Sequence, residues 1–288
     1  MDVLPEQLLF GSGSNELIVF LGHVFLEQGT NLVMGAEAFA VYFLMAAMYQ
    51  AECLRVPMPQ HTHDLDAMLE AITPETRIVA ICNPNNPTGT AVAQDAIDRF
   101  VEKLPDHVVA VFDEAYIEVM LEEMKPDVLK HIRAGKRNII VLRTFSKAYG
   151  LAGLRIGYAI GHPETIGLLN KVRQPFNVNA MAQAAALAAL DDIPHLVETR
   201  GMVFHGLEFF YRELPMLGIE YVPSAANFIL IKTGNGRKIF EELQKRKVIV
   251  RPMDGYGLPD HIRITIGTPE QNGFMIGALK EVVTQRVR

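Results

Sequence analysis

Runs of Val, Ile and Leu that are apolar at nearly every position recur through the first part of the chain. Between them lie segments whose apolar residues return every three or four positions. The first pattern predicts strands buried on both faces, and the second predicts helices that cover those strands. Strands are predicted at 77–82, 108–112, 139–143 and 155–160. Helices are predicted at 16–26, 38–49, 65–71, 94–104 and 164–172. Alternation of the two is the mark of an α/β fold with a largely parallel sheet.

The character changes after about Asn179. An Ala-rich helix at 180–190 leads into a long helical pattern from Ile193 to about Leu214. Short strands follow at 227–232, 248–251 and 263–266, with helices at 237–245 and 270–283. This predicts a large unit over 1–178 and a smaller α+β unit over 179–288. Neither repeats nor a low-complexity linker separate them, so the two should pack closely.

Composition narrows the functional classes. Hydrophobic residues make up 49% of the 288 and charged residues 21%, the balance of an ordinary globular protein. A net charge of −6 argues against a nucleic-acid-binding surface. The run Lys245-Arg246-Lys247 is too short to reverse that and reads as a solvated helix end. Cys53 and Cys82 are the only cysteines, so neither a disulfide framework nor a metal site is expected. The first residues carry no basic and apolar pattern of a secretion signal. The longest apolar stretches, 38–48 and 180–190, fall short of the ~20 residues a membrane span needs. A cytosolic protein is the simplest reading.

Three loops after predicted strands carry candidate chemistry. Asn83-Pro84-Asn85-Asn86-Pro87-Thr88-Gly89 follows the first strand, where open α/β sheets bind ligands, although the same residues also build a rigid turn. Asp113-Glu114-Ala115-Tyr116 follows the second. A carboxylate there either meets a cation or caps the next helix. The third, 146–157, holds Lys147 and Arg155 among glycines and apolar residues. Lys147 either snorkels to solvent or, if desolvated, becomes a nucleophilic amine. Arg155 offers a fixed fork for a phosphate.

In this order the three loops resemble those of the fold-type I aminotransferases, and most closely the histidinol-phosphate aminotransferase family. Further similar stretches are 10–16, 39–42, 175–179, 226–228 and 251–257, so the resemblance covers essentially the whole chain. It implies pyridoxal 5′-phosphate as cofactor. Lys147 would then form the Schiff base and shuttle the substrate proton. Asp113 would hold the proton on the pyridine nitrogen, Asn86 and Tyr116 would donate to the ring's phenolic oxygen, and Phe39 would stack on the ring. Ser146, Arg155 and the backbone N–H groups of Ser14 and Asn15, at a helix start, would bind the phosphate. Arg263, with Arg251 nearby, would clamp the substrate's anionic group, and Asn177 would line the substrate pocket.

The implied reaction is amino transfer between L-histidinol phosphate and 2-oxoglutarate, a small-molecule amino donor and a 2-oxo acid, by a homodimer. An aromatic or other amino-acid aminotransferase and a threonine-phosphate decarboxylase share the same site residues and stay open. So does a homologue that binds cofactor without full activity. Two departures bear on this. Where relatives carry Pro two residues before the stacking aromatic, this chain has Glu37. Relatives also carry a further segment ahead of the turn at Gly11. It supplies an arm and a tyrosine to the partner's cofactor phosphate, so weaker cofactor retention is expected without it.

Overall fold

The computed structural model describes residues 2–285. Met1 and residues 286–288, at the outer ends of the two expected units, lie outside the described residues.

Seven strands form the first sheet: β1 (Leu8–Gly11), β2 (Asn31–Gly35), β3 (Glu52–Val56), β4 (Thr76–Cys82), β5 (Val109–Asp113), β6 (Ile139–Thr144) and β7 (Gly157–Gly161). Their order is β1-β7-β6-β5-β4-β2-β3, and every pairing from β6 to β3 is parallel. β7 alone runs against its neighbours, β6 and β1.

Neighbouring residues of these strands point into two different cores. Val79, Ile81, Ala110, Phe112 and Val141 meet helices α3 (Leu65–Glu70), α4 (Gln94–Lys103) and α5 (Leu129–Arg133) on one side. Ile78, Ala80, Val109, Val111 and Leu142 meet α1 (Ser14–Phe25), α2 (Val41–Met48) and α6 (Pro163–Val172) on the other. Two apolar faces need an apolar residue at every position, which is why these strands show no alternation.

After α7 (Ala180–Asp191) and α8 (Ile193–Met216) comes a second, antiparallel sheet of order β10-β11-β9-β8. Its strands are β8 (Glu220–Val222), β9 (Phe228–Lys232), β10 (Arg251–Pro252) and β11 (His261–Thr265). α8, α9 (Gly236–Lys245) and α10 (Pro269–Gln285) cover it, with Phe210, Phe228, Ile239 and Leu279 at the centre of that core. Ala182 and Ala186 of α7 pack instead with the core of the first sheet.

Several expected boundaries move. The strand expected at 248–251 is a two-residue bridge at β10. The strand expected from 155 begins at Gly157, because Arg155 takes the left-handed conformation at φ 60°. The helix expected from 38 begins at Val41. β1, β2, β3 and β8 were not expected, and the first two carry the N-terminal edge and the inner part of the sheet.

Candidate active site

The carboxyl ends of β4, β5 and β6 and the start of α1 surround a cleft of about 670 Å³. Such a crevice is where open α/β sheets hold ligands. Nine of the residues singled out in the sequence line it together: Ser14, Asn15, Phe39, Asn86, Asp113, Tyr116, Ser146, Lys147 and Arg155.

Asp113 ends β5 and is buried. Its Oδ1 accepts the Ala115 N–H at 3.2 Å, and its Oδ2 accepts the Tyr42 hydroxyl at 3.1 Å. No cation lies within ion-pair distance of it among the described residues. Burial therefore pushes its pKa up to about 6, against the pull of the Tyr42 and Ala115 hydrogen bonds and of Lys147. The Lys147 ammonium sits 5.2 Å from the centre of the Tyr116 ring. Partial desolvation at the cleft wall, although Lys147 as a residue is exposed, and the nearby Arg263 lower its pKa, with Asp113 opposing and Arg155 adding to the effect. Burial raises the Tyr116 phenol, so it keeps its proton and remains a donor.

At the other end of the cleft the backbone makes room for an anion. α1 starts at Ser14, so the N–H groups of Ser14 and Asn15 belong to its unsatisfied first turn. Gly13 caps it at φ 75° and ψ 166°, and a Cβ there would lie 2.3 Å from Arg155 Nη2. A Cβ on Gly157 would lie 2.6 Å from the Ser14 nitrogen. Arg155 Nη1 donates to Ser146 Oγ at 3.2 Å and to the Ala152 carbonyl at 2.8 Å. Two side-chain donors and a helix start thus meet across two glycines.

The second sheet brings Arg263, on β11, over the Phe228 ring at 4.7 Å. Its Nη1 donates to Asn86 Oδ1, its Nε is buried without a partner among the described residues, and Arg263 does not itself line the cleft. Arg251 stands opposite Arg263 in the β10–β11 register, with its guanidinium 5.9 Å from the Tyr256 ring centre, and does not line the cleft. Asn177 does not line it either. Its Nδ2 donates to the Phe10 carbonyl at 3.1 Å and to Glu16 Oε2 at 2.7 Å, which turns it into a neighbouring apolar groove. Among the described residues, Glu16 at the cleft wall is the hydrogen-bond partner that connects it to the site.

Sequence reasoning gave no role to Tyr42, Gly13 and Glu16, although they lie in the similar stretches 39–42 and 10–16, and none to Cys82. Tyr42 had a signal available, since a residue three after Phe39 falls near it on a helix face. Cys82 ends β4 directly beside Asp113 in the strand register and lines the cleft.

The family profile described as "Aminotransferase class I and II" matches residues 1–279. A histidinol-phosphate aminotransferase of Akkermansia muciniphila is 48% identical over 278 residues, covering 96% of this chain and 76% of that protein. One from Moorella thermoacetica is 43% identical over 284 residues, covering 98% and 74%. Among solved structures, the histidinol-phosphate aminotransferase of Sinorhizobium meliloti in complex with pyridoxal-5′-phosphate superposes with a TM-score of 0.92 at 29% identity. It covers 98% of this chain and 78% of that one.

Proposed function

The chain belongs to the aminotransferase class I and II family and is a pyridoxal-phosphate-dependent transaminase, and from that premise we propose that its amino donor is L-histidinol phosphate and its acceptor 2-oxoglutarate. Its fold is that of the fold-type I aminotransferases.

The observation that carries the site reading is the meeting of a lysine, a buried unpaired carboxylate and an anion cradle in one cleft. The residues fit the cofactor. Asp113 is a buried carboxylate without a cation, as a pyridinium N–H would require. The glycine-lined space between Arg155 and the start of α1 suits a phosphate. When bound, pyridoxal phosphate supplies an aldehyde that condenses with amines and a ring that takes up electron density.

Lys147 is the amine that anchors it, and its lowered pKa makes the proton at Nζ easier to give up, leaving the free amine. Asp113 holds the ring nitrogen's proton. Tyr116 and Asn86 donate from the side of the cleft, and Phe39 closes one wall of it. Ser146, Arg155, Ser14 and Asn15 hold the phosphate. Arg263 is assigned to the substrate's anionic group by the resemblance; it stands beside the cleft through Asn86, with its Nε buried and without a partner among the described residues. Arg251 stands behind it on β10, and Asn177 acts only through Glu16.

The donor is argued from the relatives named for it, and the test is direct. Glutamate formation from 2-oxoglutarate is compared with histidinol phosphate and with phenylalanine as donor. Preference for phenylalanine assigns an aromatic aminotransferase instead, and carbon dioxide release from threonine phosphate assigns a decarboxylase.

The enzyme works as a homodimer, for which exposed Phe10, Phe176, Met181 and Leu187 offer apolar surface. It acts in the cytoplasm; among the described residues no helix is long and apolar enough to cross a membrane. Its large unit spans 1–178 and its small unit 179–288, with α7 leaning back on the large core.

A further inference from the structure

We infer that Tyr42 is a positioning residue for Asp113, its buried hydroxyl fixing the carboxylate's orientation toward the cleft and favouring the charged form. The inference rests on the reading of Asp113 as partner of the cofactor's ring nitrogen.

Tyr42 lies in the first turn of α2 and is 0% exposed. Its hydroxyl makes one hydrogen bond among the described residues, to Asp113 Oδ2 at 3.1 Å. The other carboxylate oxygen takes the Ala115 N–H. Each oxygen therefore accepts one donor from the protein and keeps acceptor capacity for a cation in the cleft, which Asp113 lines. Rotation of the carboxylate away from these two donors breaks both bonds.

The groups facing Asp113 are few. Tyr42 comes from α2, Cys82 from the end of β4, Lys147 from the loop after β6, and Glu114 and Tyr116 from its own loop. Burial drives Asp113 toward its neutral form, and the Tyr42 bond is the largest influence acting the other way. Cys82 is a weak donor and a poor substitute. Burial and the Asp113 charge hold the Tyr42 phenol well above its usual pKa, so its proton stays on as a donor. A tyrosine that merely filled the core would leave the behaviour of Asp113 unchanged on losing its hydroxyl.

Tyr42→Phe keeps the ring and removes the donor. In the cofactor-free chain, the Asp113 midpoint is read by carboxyl carbon NMR, with Asp113→Asn to assign the resonance. It should move upward by about one unit, a tenfold change in proton affinity. In the chain loaded with pyridoxal phosphate, kcat should fall about tenfold with KM for the donor nearly unchanged, the loss of one charge-assisted bond. The double variant Tyr42→Phe/Asp113→Asn should lose no more than Asp113→Asn alone. An unmoved Asp113 midpoint beside a lowered melting temperature overturns the inference, as do additive losses in the double variant. A moved midpoint in a chain whose Asp113→Asn variant turns over normally supports the Tyr42 bond and removes the role given to Asp113 itself.

Discussion

The Arg263 guanidinium donates to the side-chain oxygen of Asn86, joining a strand of the second sheet to the loop that follows β4. A guanidinium has donors only, so the atom it meets must be the amide oxygen. The amide nitrogen of Asn86 is therefore the atom left to donate into the cleft that Asn86 lines. One residue proposed to bind substrate thus sets the orientation of one proposed to touch cofactor.

Replacing Arg263 should disturb both partners. Arg263→Lys keeps the charge but loses the planar fork, and a charge-assisted bond is worth roughly 1.5–3 kcal/mol. The expected result is a fall in kcat/KM for histidinol phosphate of about ten- to a hundredfold. Asn86→Ala in the Arg263→Lys background should add less than it does alone. Steady-state kinetics of the four proteins checks this, and independent losses would break the link between the two residues.

Lys147→Ala should abolish turnover and the borohydride-reducible bond between chain and cofactor. Among the described residues that line the cleft Lys147 is the one primary amine, and the other cations near it, Arg155 and Arg263, are guanidinium groups. Mass spectrometry after reduction decides the point. A cofactor adduct surviving in the variant assigns the anchor to another lysine.

Asp113 also makes a prediction about stability without cofactor. Its folded pKa of about 6 stands above the ordinary 3.8, so the folded chain holds that proton more tightly than the unfolded chain does. The favourable contribution is complete below the unfolded pKa and is lost as pH rises through the folded one. The loss falls between pH about 4 and 6 and is of the order of 3 kcal/mol. Asp113→Asn should flatten that part of the curve. Glu118, buried and raised to about 7, should leave the decline between about 4.5 and 7 in place. Urea titrations of both cofactor-free proteins across this range test it, and parallel curves would contradict the burial argument.

Much of this site could be read in the chain because its residues sit on loops after strands of unbroken apolar character. Cys82, Asp113 and Thr144 end β4, β5 and β6, and the loops carrying Asn86, Tyr116 and Lys147 follow directly. β2 escaped because only Leu32-Val33-Met34 of Asn31–Gly35 form an apolar run, and β3 because Glu52–Val56 carries Glu52 and Arg55, which hide a strand at a sheet edge. The spacing of Tyr42 to Phe39 placed it near that residue, but an apolar helix face offers a tyrosine no distinction from core. Its role depends on a contact with a residue 71 positions away. Asn177 was placed in the cleft by resemblance, and its hydrogen bonds to Phe10 and Glu16 turn it elsewhere.

The phosphate cradle gives the last test. Gly13 has φ 75° and ψ 166°, a combination open essentially to glycine alone, and any other residue there costs ~1–3 kcal/mol. Its missing side chain also leaves the space that Arg155 Nη2 approaches, since a Cβ would stand 2.3 Å from it. Gly13→Ala should therefore do two things at once, straining the turn into α1 and pushing the Arg155 guanidinium off its place beside Ser146. A guanidinium is a flexible end and can move, so the fold should survive while the cradle opens. Losing one charge-assisted donor to the phosphate is worth roughly 1.5–3 kcal/mol, which is about ten- to a hundredfold in affinity. The control is pyridoxal without its phosphate, whose binding does not use the cradle and should change little. Equilibrium dialysis of both compounds against the two proteins separates the cases. Equal weakening for both would mean that the strain at Gly13 spreads through the cleft, and unchanged binding of pyridoxal phosphate would mean that the anion sits somewhere other than between Arg155 and the start of α1.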